Sequence, residues 1–158
     1  LDGVCMTVVN SDNGIVSFDA IYETLDRTTL SDRKVGDLLN VERSLRLGDE
    51  LGGHILSGHI IGTAEILKRD EVGDGVDFLI SIPDGCNQFI LEKGYIAVDG
   101  MSLTVGKCHG DGFFLHIIPE TLRITSIGSK SVGDLVNIEI DSRTQAVVEA
   151  MIRMGVES

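Results

Sequence analysis

Aromatic residues are scarce in this chain of 158 residues, which has no Trp, two Tyr and five Phe. Its core must therefore be built mainly from Ile, Val and Leu, and a core rich in β-branched residues favours sheet. Basic residues are also few, since 13 Lys and Arg stand against 25 Asp and Glu to give a formal net charge of −12. Nucleic acids and anionic membrane surfaces both require a basic face, so this balance argues against either partner.

Cysteine is limited as well, and long apolar runs are missing. Cys5, Cys86 and Cys108 form no CxxC pair, which argues against a disulfide framework or a zinc site and favours a reducing compartment. No stretch approaches the ~18 consecutive apolar residues of a membrane span. Because no signal peptide is visible either, we expect a cytoplasmic protein without a metal site.

The chain repeats itself at a constant offset of 97 residues. Three segments recur without a gap: residues 2–8 as 99–105, residues 23–25 as 120–122, and residues 35–42 as 132–139. A register held over that length indicates a duplication.

Each copy has the pattern of short strands joined by turns. We predict strands at 4–9, 15–21 and 38–43 in the first copy, at 101–108, 113–118 and 136–140 in the second, and at 63–68 and 76–82 before it. Hairpin turns are expected at Asn13-Gly14, at residues 73–75 and at Asp111-Gly112, because these residue types tolerate positive φ. Evenly spaced short antiparallel strands are typical of a small closed barrel in an all-β fold.

The first copy is shorter than the second at its beginning. The second unit starts near Gly62, 37 residues before Asp99, and an equal first unit would start before residue 1. We therefore expect that residues 1–43 do not close a barrel unaided and that a strand edge is exposed. On this reading either the natural protein is longer or this sequence omits its first strands.

The C-terminal segment has helical spacing instead. Apolar residues from Ala146 to Met154 recur on one face, with Asp141 or Ser142 as N-cap and Gly155 as C-cap. This apolar stripe packs either on its own barrel or on copies of itself, and the sequence does not favour one over the other.

Polar residues at matched positions are the first candidates for chemistry. In a strand, residues two apart share a face, so Cys5 lies beside Thr7, and Ser102 beside Thr104. A lone polar pair is usually only solvated, but its recurrence at equivalent positions makes a pair of related pockets an equal alternative.

Other candidates lie between and after the repeats. Residues 52–62 place paired glycines beside His54 and His59, which suits a ligand site between units or, equally simply, a glycine-rich linker. Lys93 has the position of a helix C-terminal cation, and Asp141 that of an N-cap, although its first-copy counterpart is Ser44.

Together these motifs resemble the riboflavin synthase family, from Leu1 to about Ala150. The residues that carry the resemblance are 2–7, both Glu-Thr-Leu segments, 41–43, 52–54, 57–59, 98–104 and 138–141. The resemblance implies two six-stranded antiparallel Greek-key barrels, at 1–53 (incomplete) and 54–141, and a helix at 142–158 that joins three chains.

The resemblance also implies a reaction. Two molecules of 6,7-dimethyl-8-ribityllumazine would dismutate by transfer of a four-carbon unit, giving riboflavin and 5-amino-6-ribitylamino-pyrimidinedione without metal or cofactor. The site would lie between the first barrel of one subunit and the second barrel of its neighbour, and lumazine synthase is a candidate partner.

Substrate-binding residues carry over as two sets. One lumazine would be held by Cys5, Met6, Thr7, Asp19, Ala20, Ile21, Tyr22, Glu23 and Thr24, with Lys93 nearby. The other would be held by Ser102, Leu103, Thr104, His116, Ile117, Ile118, Pro119, Glu120 and Thr121, and by Gly58, His59 and Ile60. Candidates for proton handling and orientation are Cys5, His59, Ser102, Thr104 and Asp141, with the base unassigned.

The chain departs from the family pattern in one respect. Family members begin with a Phe-Thr-Gly-type segment that has no counterpart here, so we expect this chain to be inactive or nearly so while a longer parent turns over. One alternative is a non-catalytic lumazine or flavin carrier, similar to the lumazine protein of luminous bacteria, and another is a purely structural barrel. Carriers lose polar site residues, and their retention here favours the enzyme.

Overall fold

The computed structural model describes residues 1–155, which are mostly β structure followed by a C-terminal helix. The strands are β1 Val8–Asp12, β2 Ile15–Phe18, β3 Gly62–Val72, β4 Gly75–Ser81, β5 Tyr95–Val98, β6 Met101–Thr104, β7 Cys108–His109, β8 Gly112–Ile117 and β9 Leu135–Ile140. The helices are α1 Tyr22–Arg27, α2 Pro119–Ile124 and α3 Ser142–Arg153. This arrangement confirms the prediction of a mainly β chain that ends in a helix.

The second repeat forms a seven-stranded antiparallel sheet in the order β6-β5-β9-β3-β4-β8-β7. Its two end strands, β6 and β7, are separated by only three residues, 105–107. Within this connection Gly106 N donates to Phe114 O at 2.7 Å, so the pairing with β8 continues towards β6. The two ends of the sheet therefore meet around one apolar core.

Alternation along the strands builds that core. In β4, Val76, Phe78 and Ile80 are buried while the residues between them are half-buried. Side chains from β3, β5, β8 and β9 complete a cluster with no Trp or Tyr among its fully buried members, as the composition predicts. The apolar core of Ile, Val and Leu, with Phe78, Phe89 and Phe113, therefore lies in the second repeat.

The hairpin turns follow the duplication. Asn13 and Gly14 both have positive φ, as predicted. The equivalent turn in the second copy is Gly110–Asp111, and the prediction of Asp111-Gly112 was wrong by one residue. The observed turn lies 97 residues after Asn13-Gly14, whereas the predicted turn lies 98 residues after it.

The first repeat forms only the two-stranded sheet of β1 and β2. The strand predicted at 38–43 is wrong, and the one predicted at 4–9 begins only at Val8. In the second copy the equivalent of residues 38–43 is β9, which pairs with β3 and β5. When the offset of 97 is subtracted from the residue numbers of β3 and β5, almost all of the results are below 1, so residues 1–61 hold almost no counterpart of these two strands. Residues equivalent to the buried core are accordingly exposed: Val16 is 45% exposed, whereas Phe113 is 0%.

The two copies of the Asp-Gly motif contact each other about a local twofold axis. Asp2 N donates to Asn40 O and Asp99 N to Asn137 O, each at 2.9 Å. Asn137 Nδ2 in turn donates to Asp2 O at 2.9 Å, and Asn40 Nδ2 to Asp99 O at 3.0 Å. Each bond has its counterpart at the offset of 97, so the duplication is also a symmetric interface.

One cation on each side completes this interface. Arg33 Nη2 lies 2.7 Å from Asp2 Oδ2, and its counterpart Lys130 Nζ lies 3.4 Å from Asp99 Oδ2. Burial raises the pKa of Asp99 from its usual 3.8 to about 6, although Lys130 and the Asn137 N–H oppose the rise. The two sides are therefore related in position but unequal in charge pairing.

Helix α3 begins at the predicted cap. Asp141 accepts hydrogen bonds from the backbone N–H groups of Arg143 and Thr144. The described helix ends at Arg153, and the predicted continuation over 156–158 lies outside the described residues. Val148 packs on the core, whereas Val147 and Ile152 are more than half exposed. Only part of the apolar stripe is therefore covered by its own chain.

Candidate functional site

A cavity of about 300 Å³ opens on the second repeat, where β6, β8 and the start of α2 come together. Its lining residues are Lys93, Ser102, Leu103, Thr104, Val105, Gly106, Leu115, His116, Ile117, Ile118 and Thr121. Aliphatic side chains form much of the wall, and a few polar groups converge on it. Such a wall suits a heterocycle with polar substituents.

Ser102 is the polar centre of this region. Its Oγ accepts a hydrogen bond from the His54 backbone N–H at 3.0 Å and lies 2.6 Å from His54 Nδ1. A side chain at position 53 would collide with it, because a Cβ on Gly53 would stand 2.4 Å from Ser102 Oγ. The paired glycines of residues 52–53 therefore include one that lets the backbone reach Ser102.

The environment of His54 favours its neutral form. Burial lowers its pKa from the usual 6.5, against the opposing attraction of the Asp141 and Glu139 carboxylates. The ring stacks on Tyr95, with centroids 5.1 Å apart. A neutral imidazole can accept the Ser102 hydroxyl proton at Nδ1, and its buried Nε2 has no hydrogen-bond partner among residues 1–155.

Asp141 combines its structural role with a place near this pair. Burial opposes ionisation, but hydrogen bonds from Thr144 and the Arg143 N–H, together with His54, lower the pKa of Asp141 below its usual value. The carboxylate is therefore ionised at neutral pH. It caps α3 and adds a negative potential at the imidazole.

The segment after His54 leads to the first motif. Glu139 on β9 accepts hydrogen bonds from the Ser57 backbone N–H at 2.7 Å, from the Ser57 hydroxyl at 2.8 Å and from the Gly58 N–H at 3.1 Å. Gly58 O then accepts from Cys5 N at 3.1 Å. One buried carboxylate thus fixes the segment that joins Ser102 to Cys5, the two equivalent positions of the repeats.

The first-motif residues stand at the surface. Cys5 and Thr7 are exposed and Met6 is half-buried, whereas Val4 is buried, so the alternation starts as expected. Residues 19–24 run from the end of β2 into α1, as 116–121 run from β8 into α2. The two sets are therefore related by the fold as well as by the sequence.

The structure brings most of the second set into one place. Ser102, Leu103, Thr104, His116, Ile117, Ile118 and Thr121 all line the cavity, whereas Pro119 and Glu120 begin α2 beside it. Lys93, expected near the first substrate, also lines this cavity. Gly58, expected with the second set, contacts Cys5 instead, because a Cβ there would stand 2.5 Å from Cys5 Cβ. His59 is exposed beside Ser57, and Ile60 follows it half-buried.

Sequence reasoning missed the partner of Ser102. His54 belonged to the glycine-rich segment, but no local spacing links it to Ser102, 48 residues away. Val105, Gly106 and Leu115 were also absent from the predicted set. Val105 and Gly106 directly follow the motif, so its extension by two residues was the available signal.

Comparison with known proteins gives consistent results. The family model of the lumazine binding domain matches residues 1–44 and 57–141. A riboflavin synthase of Escherichia coli (strain K12) is 46% identical over 154 residues, which are 97% of this chain and 72% of the relative. A riboflavin synthase of Chlamydia muridarum is 40% identical over 157 residues, 99% of this chain and 77% of the relative.

Solved structures show the same relationship. LumP complexed with riboflavin superimposes with a TM-score of 0.80 at 30% identity, over 89% of this chain and 76% of that one. LumP complexed with 6,7-dimethyl-8-(1'-D-ribityl) lumazine gives a TM-score of 0.78 at 28% identity, over 87% of this chain and 74% of that one.

Proposed function

This chain belongs to the lumazine binding domain family and has riboflavin synthase function, and from that premise we propose where and how its residues act. Each repeat holds one molecule of 6,7-dimethyl-8-ribityllumazine, the first at Cys5, Met6 and Thr7 and the second in the cavity lined by Ser102 and Thr104. A four-carbon unit passes from one lumazine to the other.

The contact between Ser102 and His54 is the observation that carries this proposal. It places a hydroxyl and a neutral imidazole 2.6 Å apart at the edge of a cavity, at the position where the first repeat has Cys5. A hydroxyl with an adjacent base is the arrangement that proton transfer requires. The repeat equivalent differs in chemistry, as two sites with different roles in one dismutation require.

The chemistry begins with loss of a proton from an acidic methyl group of one lumazine. His54 accepts it through the Ser102 hydroxyl, and the nearby Asp141 carboxylate stabilises the imidazolium that results. His59 and Thr104 orient substrate, and Cys5 faces the other lumazine. Most of the acceleration comes from holding two reactants together, since orientation alone replaces a large entropic cost.

Oligomerisation is part of the proposal. We propose two six-stranded Greek-key barrels, at 1–53 and 54–141, in which β6 and β7 count as one bent strand of the second barrel. The active site would form where the first barrel of one subunit meets the second barrel of its neighbour. The exposed Val147, Met151 and Ile152 of α3 suit packing on copies of the same helix in a homotrimer. We place this enzyme in the cytoplasm, with lumazine synthase as a partner.

A fluorescence assay tests the function. A longer form that carries the family's Phe-Thr-Gly-type segment is mixed with 6,7-dimethyl-8-ribityllumazine, and formation of riboflavin is followed by its emission. Turnover supports the enzyme, and binding without conversion supports a carrier. If the protein shows neither turnover nor binding, both candidate functions are refuted. The carrier is the second candidate because LumP, which has the same fold, is seen complexed with lumazine and with riboflavin. The reaction of the exposed Cys5 thiol with a thiol reagent is measured before and after ligand is added. Protection of Cys5 by the ligand locates the first site.

A further inference from the structure

His54 lacks one of the contacts that usually orient a base. Its Nδ1 lies 2.6 Å from Ser102 Oγ, but its buried Nε2 has no hydrogen-bond partner among residues 1–155. In a typical pair of hydroxyl and imidazole, a third polar group binds the other ring nitrogen and fixes the ring. The side chain itself restricts rotation about the Cβ–Cγ bond only weakly. A contact other than a hydrogen bond must therefore hold the plane of the His54 ring.

The ring of Tyr95 packs on the face of this imidazole. The two centroids are 5.1 Å apart and the two planes differ by 20°, which is the geometry of an offset stack. Tyr95 opens β5, is 53% exposed and does not belong to the apolar core cluster. Its large ring therefore serves the outer face of the sheet and not the core.

The register of β5 and β6 places Tyr95 beside the candidate site. Tyr95 faces Thr104, and Ala97 faces Ser102. Residues two apart in a strand share a face, as do residues directly opposite each other in a pair, so all four side chains point to the same side of the sheet. The His54 imidazole contacts two of these four side chains. Both of its supports thus stand on paired strands, which hold a group more precisely than a loop does.

The stack and the hydrogen bond restrict different motions of the ring. The stack fixes the plane but would survive a turn of the ring by half a rotation, whereas the contact with Ser102 selects the edge that carries Nδ1. We propose that Tyr95 is a positioning residue, whose ring holds the His54 imidazole in the plane in which Nδ1 meets the Ser102 hydroxyl. This assignment rests on the proposed function, since it takes His54 as the base.

The Tyr95 ring also keeps water from one face of His54. Burial is the largest influence on the pKa of His54 and lowers it from the usual 6.5, while the carboxylates of Asp141 and Glu139 act in the opposite direction. Removal of the ring admits water and leaves both carboxylates in place, so the pKa of His54 should rise. A base with a higher pKa is protonated over more of the neutral range, so the acid limb of the activity profile should move to higher pH.

Proton NMR of the histidine rings tests the contact in the chain as it stands. The chain has four histidines, and the His54 resonances are the ones that disappear in His54→Gln. We expect Tyr95→Leu to remove the ring-current shift of the His54 protons and to raise the pKa of His54 towards 6.5. Tyr95→Phe keeps the aromatic ring and should retain both properties of the wild type.

A matched control separates the stack from a general effect of truncation. Leu67 on β3 is also an exposed apolar side chain of the sheet, at 42%, and Leu67→Ala should leave the shifts and the pKa of His54 unchanged. In a longer form that turns over lumazine, Tyr95→Leu should lower kcat about two- to tenfold at about pH 7, the size of one aromatic stack, with KM unchanged. Tyr95→Phe should restore kcat.

Unchanged His54 shifts and pKa in Tyr95→Leu would overturn the assignment. An equal loss of kcat in Tyr95→Phe would overturn it as well, because the phenol hydroxyl and not the stack would then be responsible. If His54→Gln leaves kcat unaffected, the base of the proposed function is wrong, and the positioning role is lost with it even where the NMR contact is present. The NMR and kinetic results thus distinguish failure of this assignment from failure of the proposed function.

Discussion

Replacement of Asp99 by Asn should remove a large part of the pH dependence of stability. The Asp99 side chain is fully buried between the repeats, and its pKa of about 6 lies above the usual 3.8. A raised carboxyl pKa means that the folded state binds the proton more tightly than the unfolded state. The resulting stability is fully present below about pH 4 and is lost as the pH rises through about 6.

The magnitude follows from the size of the rise. Each pKa unit corresponds to about 1.4 kcal/mol, so a pKa raised from 3.8 to about 6 amounts to about 3 kcal/mol. Between about pH 4 and about pH 7.5 the wild type should therefore lose about 2–3 kcal/mol relative to Asp99→Asn. Asn retains the oxygen that accepts from Asn137 N, and Lys130 keeps its bond to Leu135 O.

Urea denaturation followed by circular dichroism at several pH values measures this difference. Asp2→Asn is the contrasting variant at the twofold-related position. It should lower stability at neutral pH by about 1.5–3 kcal/mol, because Arg33 loses a charged partner at 2.7 Å. Wild-type and Asp99→Asn curves that run parallel across the pH range would refute the reasoning, since the buried carboxyl would then have an ordinary pKa.

Three further predictions concern chemistry, packing and capping. In protein that turns over lumazine, His54→Gln should reduce kcat about 10²- to 10⁴-fold, measured as riboflavin formation, and an unaffected kcat would exclude His54 as the base. Gly3→Ala should cost about 2–4 kcal/mol by urea denaturation, because its Cβ would stand 2.6 Å from Gly100 N, whereas Gly14→Ala, with a similar φ but open space, should cost about 1 kcal/mol. Asp141→Ala should lose about 0.5–2 kcal/mol of stability through the missing helix cap, and an equal loss in Asp141→Asn would contradict a capping origin.

Most strands of the second repeat were predictable because their pairing partners lie within the same stretch of chain, but β5 was missed and β6 and β7 were predicted as one strand. Alternating burial in β4 appears directly in its sequence, and so does the capping of α3 by Asp141. The strand expected at 38–43 failed because its pattern is correct but its partners are not supplied by residues 1–61. A strand forms only when another strand pairs with it, and the local sequence pattern does not show whether such a partner is present.

Helices α1 and α2 left little signal in the sequence beyond Pro119 at the start of α2. Each has six residues, and their N-cap positions are Ile21 and Ile118, neither of which forms a side-chain cap. Tertiary packing therefore places them, and propensity does not.

The candidate site divides in the same way. Ser102 and Thr104 could be found from strand alternation and from the repeat. The contacts of His54 with Ser102 and Tyr95 join residues that are far apart in the sequence, and only the folded sheet brings them together.

The meeting of Gly3 and Gly100 limits how far the two copies can diverge. Each glycine occupies the space that a side chain on the other would need, and both have positive φ. A substitution at either glycine therefore disturbs the backbone of both copies. The interface between the two Asp-Gly motifs tolerates a larger residue on one side only if the other side changes as well. The residues that line the two candidate ligand sites are not constrained in this way. After a gene duplication they can diverge independently, while the interface between the copies keeps its original symmetry.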